Sequence, residues 1–244
     1  MHRPFLIALQ FLTRLPVTLA NPPAAGEAGR SLLYYPIVGL LIGLFPLLTV
    51  LLLKGQDTLL AAALAIAVWA LLTGGLHLDG LADTVDAWVG GLGDRERTLE
   101  IMKDPATGPM GVLGIALVLL LKTAAVHALL LHDSVYILLI PPVLARTCAP
   151  LLMISTPYAR RGGLAAALAA EADRAHCLMV CGITALILLI CSPLPALLGV
   201  LSGGGLMLAW RGMLLKRLVG YTGDTIGALI ESVEVAVLIA LALL

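Results

Sequence analysis

The chain has 244 residues, 60% hydrophobic and 12% charged, with a formal net charge of zero and a mean hydropathy of +1.04. This composition excludes an ordinary soluble domain and places the chain among all-α, polytopic membrane proteins. The absence of a basic tract and an aromatic content of 5% argue against a nucleic-acid partner.

The N-terminal stretch HRPFLIALQFLTRLPVTLA resembles a signal peptide, but Arg14 and Pro16 interrupt its short apolar core. An amphipathic helix lying in the membrane interface is the preferred reading. Seven apolar stretches follow, at about 36–53, 58–76, 109–131, 135–154, 178–192, 194–210 and 225–243. The fifth and sixth are separated only by Ser192 to Pro195, as a tight hairpin or as one kinked region. The chain 1–244 reads as a single transmembrane catalytic domain with no internal repeat. Its four cysteines form no CxxC pair, and they read as small buried thiols rather than disulfides or a zinc site.

Twelve of the fifteen Lys and Arg fall on one side of a seven-span arrangement. The positive-inside rule makes that side cytoplasmic and puts the C-terminus across the membrane.

The densest chemistry lies in GGLHLDGLADTVDAW, residues 74–88. On a helix Asp79, Asp83 and Asp86 stand at i, i+4 and i+7, within roughly 60° of one another at about 100° per residue. Three carboxylates on one face at a membrane boundary need a positive charge between them, and Mg²⁺ with substrate phosphates is the expected answer. The competing reading is a solvated acidic start to a loop. Gly74, Gly75 and Gly80 suit close approach of backbone to a ligand, and His77 is a candidate base or ligand.

A second constellation, GYTGDTIGALIE, sets Asp224 and Glu231 seven apart on one helix face. Gly223 can present backbone N–H groups to a phosphate. Intramembrane carboxylates usually mark function, and the alternative for Glu231 and Glu234 is pairing with Lys122 or Arg146 inside the bundle. In a third block, RERTLEIMKDPATGPMGVLG, Arg95, Arg97 and Lys103 are candidate phosphate contacts, with Asp104 and Gly108 in the adjoining turn. Arg146 lies deep in the fourth span and is a functional candidate on that ground alone. Carboxylates, a divalent cation, basic groups and glycine turns together point to phosphoryl transfer, in which positioning and charge neutralisation do most of the work.

HLDGLADTVDA, IMKDPATGPMGVLG, LARTCAPLLMISTPYARRGGL and GYTGDTIGALIE, in this order, resemble the cobalamin synthase family over nearly the whole chain, as does the opening FLIALQFLTRLPV. The resemblance implies a Mg²⁺-dependent enzyme of the bacterial inner membrane. It would join adenosylcobinamide-GDP to α-ribazole or its 5′-phosphate, with GMP released. On chemical grounds Asp79, Asp83 and Asp86 are expected to hold the ion, and Asp224 and Glu231 a second ion or the base. Lys103 and Arg146 are expected to meet charge on the phosphate. Two rivals are a membrane phosphotransferase on a nucleotide-activated lipid and a cation or proton transporter using Glu231, Glu234 and Arg146 as a relay.

Overall fold

The computed structural model describes residues 3–19, 21–24, 26–132, 135–160, 168 and 170–244. Helix α1 (Arg3–Leu12) is followed by α2 (Glu27–Ser31), a 3₁₀ turn and α3 (Tyr35–Leu52). Then come α4 (Thr58–Thr73), α5 (Leu76–Gly90), α6 (Arg95–Ile101), α7 (Pro109–Leu131) and α8 (Ile140–Ser155). The chain closes with α9 (Arg174–Cys191), α10 (Pro193–Arg217) and α11 (Gly223–Ala242). Among the described residues six helical stretches are long and apolar enough to cross a membrane, or seven if α4 and α5 count as one broken span. The expected all-α membrane bundle is therefore found.

Local chemistry sets the helix ends. Asp57, Asp94 and Asp173 accept hydrogen bonds from the first-turn amides of α4, α6 and α9. Thr222 and Thr225 form a reciprocal capping box at the start of α11. Ser192, with φ −150° and ψ 74°, breaks the chain between α9 and α10. These two helices pack on each other and on α8, so the region is two helices rather than one kinked span.

The second apolar stretch departs from expectation. Its helix ends at Thr73, and α5 leaves at 89° to α4, so the acidic helix is not a continuation of the span. Gly74 and Gly75 cause the break: both have positive φ, +65° and +70°, which a side chain would strain. They form the corner, and both also border a second cavity next to Asp79.

Helix α11 is the centre of the bundle, with α5, α7, α8 and α10 packed round it. Both α8 and α11 are mostly buried, whereas α7, α9 and α10 present Leu120, Leu186, Ile190 and Leu201 outward. Apolar side chains that face away from the bundle suit contact with lipid. Helix α1 is amphipathic, as expected: Ile7, Ala8, Leu9 and Leu12 are buried, and Arg3 ties its start to Glu27 at 3.4 Å. All four cysteines are free, but Cys191 is exposed at the end of α9, which corrects its reading as a buried thiol.

Candidate active site at the crossing of α5 and α11

Two glycines bring the acidic helices together. A Cβ on Gly80 would lie 2.8 Å from the backbone oxygen of Asp224, and one on Gly227 would lie 3.2 Å from the Cα of His77. The helices therefore meet backbone to backbone, which only small residues allow. Gly80, a candidate substrate contact, lets α11 approach at its missing side chain and also lies on the wall of the cavity beside the crossing.

The crossing opens a cavity of about 230 Å³ lined by Asp79, Asp224, Arg160, Tyr158 and His77. Its remaining wall is apolar, chiefly Phe11, Tyr35, Met153, Ile226 and Ile230. Gly223 at the α11 N-terminus lines it too, and nothing lies within 4 Å of where its side chain would be. Asp83 stands one turn along α5 from Asp79. Burial, then the Asp79 and Asp224 carboxylates, push its carboxyl up to about 6, while the Arg160 guanidinium pulls it back.

Arg160 reaches the site from a short strap after α8. Ala159 N–H donates to Tyr221 O at 2.8 Å and Tyr221 N–H donates to Pro157 O at 2.9 Å, and the two tyrosine rings meet edge to face. Gly220 permits this contact, since a Cβ there would meet Pro157 O at 2.5 Å. The strap holds Arg160 Nη2 at 2.9 Å from Asp224 Oδ2. Arg160 and Tyr158 were absent from the candidates read from sequence, where Arg160 counted only towards the basic side.

Asp86 is turned elsewhere. Gly108 N–H donates to its Oδ2 at 2.6 Å and Gly111 N–H to its Oδ1 at 2.8 Å, so both oxygens cap the first turn of α7. Gly108 is accordingly occupied in that cap, and a side chain on it would collide with Asp86 at 2.6 Å. Asp86→Ala is expected to lower stability by about 0.5–2 kcal/mol, the range for a lost helix cap. Thermal unfolding in detergent micelles, compared with Asp79→Ala, which caps no helix, would measure it.

The basic block is partly structural. Arg95 Nε donates to Leu218 O at 2.8 Å and its Nη2 to Ala159 O at 3.1 Å, clamping α6 to the strap and to the turn before α11. Arg95 thus supports the site rather than facing the cavity. Arg97 and Lys103 are exposed, and Asp104 accepts from Ala106 N–H at 2.9 Å within its own turn.

Arg146 and Glu231 are corrected. Arg146 is fully buried and paired with Glu234, and Lys122 pairs with Glu234 and, at 2.6 Å, with Glu231. Lys122 also stands over the Trp69 ring at 5.0 Å. The four charges balance one another between α7, α8 and α11, and none of them lines the cavity. The reason is depth: seven residues advance a helix by about 10.5 Å, which carries Glu231 from the end of the bundle into its interior. His77 does line the cavity, 3% exposed, with no hydrogen-bond partner on either ring nitrogen.

Among the described residues no three His, Cys, Asp or Glu side chains close on one point as a ready-made metal cage. The donor set is instead Asp79 and Asp224, carboxylates from two helices on the wall of one cavity, with Asp83 one turn along α5 within their electrostatic reach. Such a set fits Mg²⁺, which binds few carboxylates and completes its shell with water and phosphate oxygens.

The family model described as Cobalamin-5-phosphate synthase matches residues 4–242. Curated relatives named adenosylcobinamide-GDP ribazoletransferase include proteins of Stutzerimonas stutzeri, 50% identical over 98% of both chains, and Pseudomonas putida, 51% identical over 98% of both. The relative of that name from Pseudomonas aeruginosa strain PAO1 is 51% identical over 99% of this chain and 98% of its own. No solved structure matches. With a family match over nearly its whole length and relatives at half identity, the chain belongs to the cobalamin-5-phosphate synthase family.

Proposed function

We propose that the chain is an adenosylcobinamide-GDP ribazoletransferase of the bacterial inner membrane, Mg²⁺-dependent and working from the cytoplasmic side. The observation that carries this reading is one cavity whose wall combines the Asp79 and Asp224 carboxylates with Arg160 and a set of apolar side chains. The transfer joins a ribose hydroxyl of α-ribazole, or of its 5′-phosphate with that phosphate left in place, to the phosphorus next to cobinamide. The bond from that phosphorus to the bridging oxygen breaks, GMP leaves with the oxygen, and a hydroxyl acceptor gives up its proton. Held by Asp79, Asp83 and Asp224, Mg²⁺ would neutralise the diphosphate and the charge that grows on its oxygens.

The chain's own groups provide the rest. The open N-terminus of α11 at Gly223 offers backbone N–H groups to a phosphate oxygen. The recess formed by Phe11, Tyr35, Met153 and Ile230 suits the aromatic base of the acceptor. A corrin ring is too large for it, and guanine would bring polar edges that an apolar wall leaves unpaired. The cytoplasmic orientation is supported by the arginines clustered at this end, among them Arg95, Arg160 and Arg217.

Purified protein given adenosylcobinamide-GDP, α-ribazole and Mg²⁺ is expected to yield GMP and a cobalamin. Chelation by EDTA should stop the reaction, and added Mg²⁺ should restore it. Product formed undiminished under EDTA would overturn the metal assignment. Consumption of a lipid alcohol in place of α-ribazole would favour the rival phosphotransferase.

A further inference from the structure

Resting on that reading, we propose that Arg160 is the stand-in cation of the resting site and a donor-phosphate contact in the loaded one. Its guanidinium neutralises Asp224 until a divalent cation takes the carboxylate, and the freed fork then turns onto the diphosphate. The 2.9 Å pair with Asp224 places this positive charge where the carboxylates of α5 and α11 meet.

The donor groups of Arg160 are not all in use. Nη2 meets Asp224 and, at 3.4 Å, Met102 O, while the buried Nε has no hydrogen-bond partner. A buried donor without a partner is costly, and a phosphate presents the paired acceptors that a guanidinium fork matches. The anchoring also fits. Backbone bonds to Tyr221 fix the strap, so the side chain can change partner without moving α8 or α11. Both partners are only partly buried, with side-chain exposures of 20% and 24%, which leaves room for that exchange.

The test separates competition for Asp224 from contact with the donor. Full-length protein in detergent is titrated with Mn²⁺ in the absence of nucleotide, followed by electron paramagnetic resonance. Arg160→Gln is expected to bind Mn²⁺ roughly fivefold tighter than wild type, the scale of a partly exposed ion pair. The same variant should show a KM for adenosylcobinamide-GDP raised about tenfold or more, the scale of a charge-assisted contact, with the KM for α-ribazole unchanged. Arg160→Lys should return Mn²⁺ affinity towards wild type but leave the donor KM raised, because a point charge does not fork. Unchanged or weaker Mn²⁺ binding in Arg160→Gln overturns the stand-in role. An unchanged donor KM overturns the phosphate contact. A wild-type protein that makes no cobalamin overturns the reaction itself, and the Mn²⁺ titration then still decides the counter-ion role.

Discussion

Asp83→Asn is expected to stop turnover while leaving the protein at least as stable as the wild type. The two effects share a cause. The Asp83 carboxyl is pushed up to about 6 by burial and by Asp79 and Asp224. A carboxyl with a raised folded-state pKa favours folding while protonated, and that contribution is lost as pH rises from the ordinary range near 4 through 6. At neutral pH the ionised group therefore works against the metal-free fold. Asn keeps the shape and removes the charge, so the melting temperature should hold or rise. Turnover should fall by about 10²–10³-fold, the scale lost with one preorganised charge-stabilising group. The gain should be largest above pH 6 and vanish well below pH 4, where the carboxyl is protonated in both the folded and the unfolded chain. A variant that melts well below wild type at pH 7 would contradict the account of the site as three carboxylates sharing the single Arg160 charge.

Most of the helix pattern was legible in the sequence because membrane helices must satisfy their own backbone and so announce themselves as apolar runs. The partners of the charged residues were not legible. Asp86 meets Gly108 from 22 residues away, and Lys122 meets Glu231 across 109. Helical spacing correctly put Asp224 and Glu231 on one face, but a face has length as well as direction. The 89° corner at Gly74 and Gly75 decides which acids look at α11, and a glycine pair does not disclose its φ values in sequence. Arg160 was missed for a related reason. It lies on no helix, and only the backbone pairing of Tyr158 with Tyr221 brings it to the acids.

The buried quartet of Lys122, Arg146, Glu231 and Glu234 provides the largest expected change in stability. Glu234 is shared by Lys122 and Arg146, so Glu234→Met alone leaves the Arg146 guanidinium charged in the bundle interior with no carboxylate of its own. Breaking a buried pair from one side costs about 3–5 kcal/mol, and Arg146→Met alone should cost a similar amount by leaving Glu234 with only half its neutralising charge. The double variant Arg146→Met with Glu234→Met keeps the Lys122–Glu231 pair at 2.6 Å and strands no charge. It should therefore melt closer to wild type than either single variant, a strongly non-additive cycle. Thermal unfolding in one detergent, at one pH, gives all four corners of it. Activity supplies the second reading. Because none of the four side chains lines the cavity, the folded double variant should turn over within about tenfold of wild type, a shift no larger than about 1.4 kcal/mol in the barrier. If it melts normally and is nonetheless inactive, Arg146 or Glu234 acts on the substrate, and the quartet is more than the electrostatic core that holds α7, α8 and α11 in register.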